Sequence, residues 1–101
     1  MSESGKCPVA EAMNILSRKW AIILLYHLLS GPKRFGQLEA ETDISGRLLS
    51  ERLKELEAAG MVTRTLYPEV PPRVEYALTR MGREVEPIIT AIMTWSQKWL
   101  A

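Results

Sequence analysis

Three prolines within five residues limit what the second half of the chain can form. Pro68, Pro71 and Pro72 fix φ and remove backbone N–H donors, so this segment can be neither helix nor central strand. On either side, residues 61–67 and 74–78 alternate polar with apolar or β-branched side chains, which is typical of strands. The sequence therefore predicts a two-stranded hairpin with a stiff proline tip.

The stretch before this hairpin, residues 44–62, predicts an amphipathic helix. Its apolar stripe, spaced i, i+4 and i+7, consists of Leu49, Leu53 and Leu56. Ser45 is a suitable N-cap, and Gly60 can adopt the left-handed conformation that ends a helix. The opposite face carries side chains that can hydrogen-bond with a polar surface: Arg47, Ser50, Glu51 and Lys54. Taken alone, such a helix more often belongs to a core than to a binding surface, so its neighbours decide the interpretation.

A short helix from about Phe35 to Glu41, followed by a turn at Thr42-Asp43, precedes the amphipathic helix. Two helices joined by so short a turn form a helix-turn-helix pattern, which is a weak signal by itself. The hairpin directly after it supplies a wing. The predicted fold class is mainly α with a small β-hairpin (α+β), a winged helix-turn-helix with additional N- and C-terminal dimerisation helices.

Two helices are predicted upstream of this unit. The first runs from Val9 to about Leu16, with Pro8 at its first position and Cys7 near the N-cap. The second, from about Lys19 to Leu29, is apolar nearly all round and is expected at the centre of the core.

The C-terminal segment carries more apolar surface than a chain of this size easily hides. It begins at the N-cap Thr79 and runs to about Trp99, and Pro87 should kink it or split it in two. An apolar stripe follows the proline, formed by Ile88, Ile92, Trp95 and Trp99. The first helix has a similar excess at Val9 and Met13. We expect these surfaces to pair in a homodimer; the alternative is one wide stripe folded onto its own core.

Composition indicates a single globular domain over residues 1–101, with polar residues 1–6 expected to fray. The net charge is only +1, so DNA binding would require positive charge segregated on one face. One cysteine excludes an internal disulfide and makes a reducing cytoplasm the default location. The start, MSESGK, lacks the apolar region of a signal peptide, and Trp20 to Leu29 is too short to span a bilayer.

Several runs of residues carry a family resemblance: CPV and KW near the start, KRF, LSERLKELEAAGMVTR, and above all YPEVPPRVEYALTRMGRE. They resemble the HxlR family of bacterial winged-helix transcription regulators, from Cys7 to Trp99. The resemblance implies a homodimer built from the terminal helices that binds a pseudo-palindromic operator, with no catalysis, cofactor or metal. Ser17-Arg18 stand where small residues are common in the family, which can alter how the N-terminal helices pack. Gly36 stands where a polar residue is common, which removes one contact of the third helix.

The amphipathic helix would enter the major groove with its N-terminal part toward the base edges. Arg47 suits guanine, Ser45 and Ser50 suit phosphates or bases, and Lys54 suits a phosphate. Glu51 either accepts from a cytosine amine or holds Arg47 in an i, i+4 pair. Further candidate contacts are Lys33, Arg34, Gln37 and Arg73. Arg34 is equally a structural salt-bridge partner, and Arg52 either contacts a phosphate or is solvated.

Cys7 lies ahead of a helix N-terminus and beside Lys6, which favours the thiolate form of its side chain. Some HxlR relatives sense quinones, aldehydes or oxidants through a cysteine near this point, so an electrophile or oxidant is a candidate inducer. The alternative is a half-buried small residue without a signalling role. His27, Trp95 and Trp99 are interpreted as packing residues.

No nucleophile–base pair, metal spacing or phosphate loop is visible, so the sequence does not predict an enzyme. The predicted function is a DNA-binding transcription regulator, with repression as its expected action. The rivals are a regulator gated by a small molecule at the dimer seam and a winged-helix protein–protein interaction module.

Overall fold

The computed structural model describes residues 7–101, which form six helices and a three-stranded sheet. In chain order these are α1 (Pro8–Leu16), α2 (Ala21–Leu28), β1 (Lys33–Arg34), α3 (Phe35–Thr42), α4 (Gly46–Ala58), β2 (Val62–Tyr67), β3 (Arg73–Leu78), α5 (Arg80–Arg83) and α6 (Glu86–Trp99). The predicted α+β winged helix-turn-helix class is confirmed. The expectations for residues 1–6, including Lys6 beside Cys7, lie outside the described residues. None of the helices described is long and apolar enough to cross a membrane.

The first two helices are joined by a tight junction. Cys7 is the N-cap of α1 and Pro8 lies in its first turn, as predicted. The second helix was expected from about Lys19, which is wrong: α2 begins at Ala21, because Trp20 adopts a left-handed conformation with φ 76°. A bulky residue with positive φ interrupts α-helical geometry, so the chain changes direction at this residue.

The helix-turn-helix consists of α3 and α4. Asp43 ends α3 with φ 58°, a conformation that aspartate tolerates better than most residues. Ser45 then caps α4, since its Oγ accepts a hydrogen bond of 3.3 Å from the backbone N–H of Leu48. Gly60, with φ 82°, follows the end of α4. The turn comprises residues 43–45 rather than Thr42-Asp43, because Thr42 still belongs to α3 and α4 begins at Gly46.

The core lies where α2, α3 and α4 meet the sheet. Leu49, Leu53 and Leu56 are each at most 2% exposed, which confirms the predicted buried stripe of α4. Leu24, Leu25 and Leu38 are completely buried beside them. With the apolar side of α4 fixed in this way, its polar side must face away from the protein.

The predicted hairpin forms with the proline segment at its tip, and its register runs from Val62 opposite Leu78 to Tyr67 opposite Arg73. A third strand, β1, adds to the far side of β3 by pairing Lys33 with Tyr76 and Arg34 with Glu75. This strand was not predicted. The sheet order is β1-β3-β2, so β3 lies in the centre.

The C-terminal segment is split in two, one of the alternatives predicted. Thr79 caps α5 by accepting from the backbone N–H of Gly82, and Pro87 lies in the first turn of α6, where its missing N–H costs no helical bond. The stripe of α6 remains uncovered within one chain: the exposed fractions are 44% for Ile88, 45% for Ile92, 58% for Trp95 and 66% for Trp99.

Candidate nucleic-acid interface

The polar side of α4 is exposed on the surface of the helix-turn-helix. The Arg47 side chain is 92% exposed, and its Nε lies 3.9 Å from Glu51 Oε1. That distance is too long for a hydrogen bond, so Glu51 attracts the guanidinium without fixing it. Lys54 is exposed about one turn after Glu51, and Ser50, between Arg47 and Lys54 in the chain, is half-buried. The Ser45 hydroxyl oxygen already accepts one hydrogen bond, from the backbone N–H of Leu48 at the helix cap.

Lys33 and Gln37, two of the candidate DNA contacts, also have partners inside the protein. Lys33 Nζ lies 2.9 Å from Glu41 Oε2, and the lysine side chain is only 16% exposed. His27 Nδ1 lies 3.0 Å from the other oxygen of the same carboxylate, which agrees with a packing role for the histidine. Hydrogen bonds from Lys33 and then His27 lower the pKa of Glu41. A DNA contact by Lys33 stays a prediction, and it would require the lysine to leave Glu41.

The α3 N-terminus is organised by Gln37. Its Oε1 accepts a 2.8 Å hydrogen bond from the backbone N–H of Arg34, which satisfies a donor that the helix leaves unpaired. The guanidinium of Arg34 is exposed and has no carboxylate partner within residues 7–101. Within the described part of the chain no carboxylate oxygen lies within 4.0 Å of the Arg34 guanidinium, although, after the hydrogen bond from Arg73, its charge also contributes to the lowered pKa of Glu69.

Arg73 is held within the hairpin. Its Nη2 lies 2.8 Å from Glu69 Oε2, Nη1 is paired with Glu75, and the guanidinium carbon stacks 4.0 Å from the centre of the Tyr67 ring. The hydrogen bond from Arg73 lowers the pKa of Glu69, and the same bond raises the pKa of Arg73. These contacts neutralise the guanidinium locally and stiffen the hairpin below its tip. The predicted DNA contact of Arg73 would have to form with only 23% of its side chain exposed.

The solvated alternative predicted for Arg52 is wrong, and its phosphate contact stays a prediction. The Arg52 side chain is 13% exposed and donates from Nε to the backbone oxygen of Lys19 at 3.0 Å. Its Nη1 also donates to the Glu55 carboxylate at 3.2 Å and 3.3 Å. Arg18 completes the cluster, with donor–acceptor distances of 3.0 Å and 3.2 Å to Glu55. The cluster therefore ties α4 to the junction between α1 and α2.

The Glu55 carboxylate is stabilised in its charged form by this cluster. The hydrogen bond from Arg18 makes the largest contribution to the lowered pKa of Glu55, and burial opposes it. Arg18 occupies a position at which the resemblance led us to expect a small residue. Its ion pair with α4 is the structural consequence of that departure.

A groove of about 560 Å³ separates α4 from the hairpin. Arg64 lies on the hairpin side of this groove, and the sequence alone predicted no role for it. It is exposed, and it shares the face of the sheet that carries Tyr76 because the two residues are paired across β2 and β3. The groove is lined by Phe35, Ser50, Lys54, Glu57, Arg64, Val74 and Tyr76.

Away from this surface, the ends of the chain expose thiol and apolar groups. Cys7 is a free, half-buried cysteine at the start of α1. Val9 is 67% exposed and Met13 41% exposed on the same helix. The candidate dimer surface of α1 and α6 is therefore open within one chain, as its composition predicted.

Comparisons with known proteins agree with this architecture. The profile of the family described as "HxlR-like helix-turn-helix" matches residues 15–101. The HTH-type transcriptional regulator YvaP of Bacillus subtilis strain 168 is 45% identical over 102 residues, covering 99% of this chain and 94% of YvaP. These proteins are regulators rather than enzymes, in agreement with the prediction from sequence.

Two solved structures are similar over nearly the whole chain. The oxidised form of the redox regulator HypR is 42% identical, with a TM-score of 0.84, covering 91% of this chain and 96% of that one. The reduced form of the transcriptional regulator YodB from Bacillus subtilis is 33% identical, with a TM-score of 0.82, covering 93% of this chain and 94% of that one.

Proposed function

The chain belongs to the HxlR-like helix-turn-helix family of transcription regulators, and from that membership we propose that it represses transcription as a homodimer bound to a pseudo-palindromic operator. Residues 1–101 act as one domain in this proposal, in the cytoplasm where a bacterial regulator meets its DNA. A dimer bound across two half-sites would block the access of polymerase to the covered promoter.

The observation that carries the proposal is the two-sided character of α4. One side is fixed in the core by three leucines, while the other presents Arg47 almost fully to solvent. A helix with this arrangement fits the major groove, and an arginine near its N-terminus can pair with guanine O6 and N7. Ser45, Ser50, Glu51 and Lys54 extend the same surface. In our proposal Arg34 and Gln37 approach the adjacent backbone, and Lys33 and Arg73 contribute if their internal ion pairs exchange for phosphate.

The proposed dimer interface consists of the apolar residues that one chain leaves exposed. Val9 and Met13 of α1 and the stripe of α6 are too extensive to be scattered surface positions. Pairing these helices around a two-fold axis would bury them and place two copies of α4 on the same side of the dimer. The half-sites would then lie about one helical turn apart, roughly 34 Å.

We further propose that Cys7 senses oxidants or electrophiles. The thiol lies at the N-terminus of a helix that contributes to the proposed interface, so a covalent change there would alter how the protomers pack. The similarity to HypR, a redox regulator, supports this assignment. With diamide, two Cys7 thiols from two protomers would lose two protons and two electrons, forming one disulfide while diamide is reduced to the hydrazine.

DNA reading by α4 is tested with duplexes selected by the wild-type protein from a random pool. Arg47→Ala should lower the affinity for the selected duplex by about tenfold or more, because one bidentate guanine contact contributes about 1–3 kcal/mol of discrimination. Arg80→Ala is the matched control: Arg80 is also exposed and also pairs with a glutamate four residues later. Failure of the wild-type protein to enrich any duplex would contradict the proposal.

The role of Cys7 is tested by measuring release of the selected duplex after treatment with diamide or a quinone. The wild-type protein should release DNA, and Cys7→Ser should retain it. Equal release by both proteins would show that the thiol is not the sensor and would favour a ligand site elsewhere.

A further inference from the structure

We infer that Lys54 of α4 and Arg64 of β2 form a clamp for one phosphate of the DNA backbone. This inference rests on the proposed function. If α4 lies in the major groove and the hairpin reaches the adjacent minor groove, the sugar–phosphate strand that separates the two grooves must cross the gap between them. In this protein that gap is the groove between α4 and the hairpin.

The charges of this groove are available to a ligand. The side chains of Lys54 and Arg64 make no ion pair or hydrogen bond within residues 7–101. Most other cations near the helix-turn-helix and the hairpin are bound to carboxylates, as in Arg18, Lys33, Arg52 and Arg73. Two walls of one groove therefore each carry a cation that forms no ion pair within residues 7–101.

The walls and floor of the groove match the chemistry of a nucleotide backbone. Lys54 projects from the helix side and Arg64 from the hairpin side, so a phosphate between them can receive charge-assisted hydrogen bonds from both. Ser50 adds a hydroxyl donor from α4. Phe35 and Val74 supply apolar surface on which a deoxyribose can pack. None of these groups reads a base edge, so the site should contribute affinity without sequence preference.

Glu57 is the one acidic residue lining this groove, and it sets a second expectation. Lys54 and Arg64 are two cations and Glu57 is one anion, so the groove carries a net charge of +1. Its carboxylate opposes a phosphate in the groove. Removing that charge should therefore strengthen DNA binding, an effect opposite to the loss expected for either cation.

The test compares affinity across salt concentrations for the selected duplex and for an arbitrary duplex of equal length. Each neutralised phosphate contributes about 0.9 to the slope of log affinity against log salt, and the dimer would hold two, so the double variant Lys54→Gln/Arg64→Gln should reduce the slope by about 2 and Arg64→Gln alone by part of that amount. The affinity should fall by about tenfold or more for both duplexes, because the contact does not discriminate sequence. Lys54→Gln should behave in the same way, Glu57→Gln should bind more tightly, and Arg64→Lys should retain most of the slope.

Arg80→Gln is the control, because it removes an exposed arginine from α5 and should leave the salt slope unchanged. An Arg64→Gln slope equal to that of the wild-type protein would overturn the clamp while leaving the proposed function intact. A loss confined to the selected duplex would also overturn it, since Arg64 would then read a base. Failure of the wild-type protein to bind either duplex would instead remove the proposed function itself.

Discussion

Gly82 is required by a close backbone contact. A Cβ at this position would lie 2.1 Å from the backbone oxygen of Met61 and 3.2 Å from Leu78 Cδ2. Backbone cannot move aside as a flexible side chain can, so Gly82→Ala should destabilise the fold by about 1–3 kcal/mol. The midpoint of urea unfolding measures this loss.

Gly36→Ala is the matched control, because a Cβ built there meets no atom within 4 Å apart from its chain neighbours and the backbone of its own helix. Within α3 the alanine should stabilise by about 0.5–1 kcal/mol, since it reduces the entropy of the unfolded chain. Equal effects of the two substitutions would contradict the packing described around Gly82.

Glu55 gives the stability a dependence on pH whose sign follows from its contacts. Its pKa is lowered in the folded protein from the ordinary value of 4.5, chiefly by the hydrogen bond from Arg18. The contribution to stability is therefore complete above that ordinary value and is lost as the pH falls through the lowered native pKa. Urea midpoints measured from neutral to acid pH should fall less steeply for Glu55→Gln than for wild type. Glu84→Gln, on the surface of α5, is the control; parallel profiles for all three proteins would refute the assignment.

The arginines show why site roles were only partly predictable. Sequence spacing placed Arg47 on the exposed side of α4, because the leucine stripe fixes the helix orientation. The same reasoning did not find the partners of Arg52 and gave no role to Arg64, because the surroundings of both are formed by other elements of the fold. Arg52 donates to a backbone oxygen 33 residues away, and Arg64 lines the same groove as Lys54 only when the hairpin folds beside α4.

At the scale of elements, the cluster around Glu55 fixes the position of α4. Arg52→Gln would remove the bond to the Lys19 oxygen and the pair with Glu55 from a mostly buried site. We expect a loss of about 1–2 kcal/mol in the free energy of unfolding, since hydrogen bonds to charged groups are among the stronger ones.

Arg47→Gln on the same helix controls for the loss of an arginine. Its side chain is 92% exposed, so its effect on stability should remain within about 0.5 kcal/mol. If both variants unfold at the same urea concentration, Arg52 does not hold α4 to the junction.

Elements with a clear period were predicted, and those without one were not. The leucine stripe, the caps Ser45 and Thr79 and the proline tip each carry a local physical signal. The strand β1 has only two residues, too few to show an alternating pattern of polar and apolar side chains. It is a strand because it pairs with Tyr76 and Glu75 of β3. The late start of α2 depends on the left-handed Trp20, a conformation that its own side chain does not favour.

At the scale of the whole molecule, the exposed stripe of α6 should control assembly. Ile92→Glu places a charge in the proposed apolar interface, so at micromolar concentration the variant should sediment as a monomer and the wild type as a dimer. Leu66→Glu is the control, since Leu66 is 56% exposed on the hairpin, outside the proposed interface. A monomeric wild-type protein, or a dimeric Ile92→Glu variant, would contradict the assignment.

In the proposed function, two symmetric copies of α4 read adjacent turns of DNA. Hydroxyl-radical cleavage of the selected duplex, bound to the wild-type protein, measures that arrangement directly. We predict two protected tracts related by a dyad, with centres one helical turn apart, about 34 Å. A single protected tract, or uniform protection along the duplex, would contradict the account.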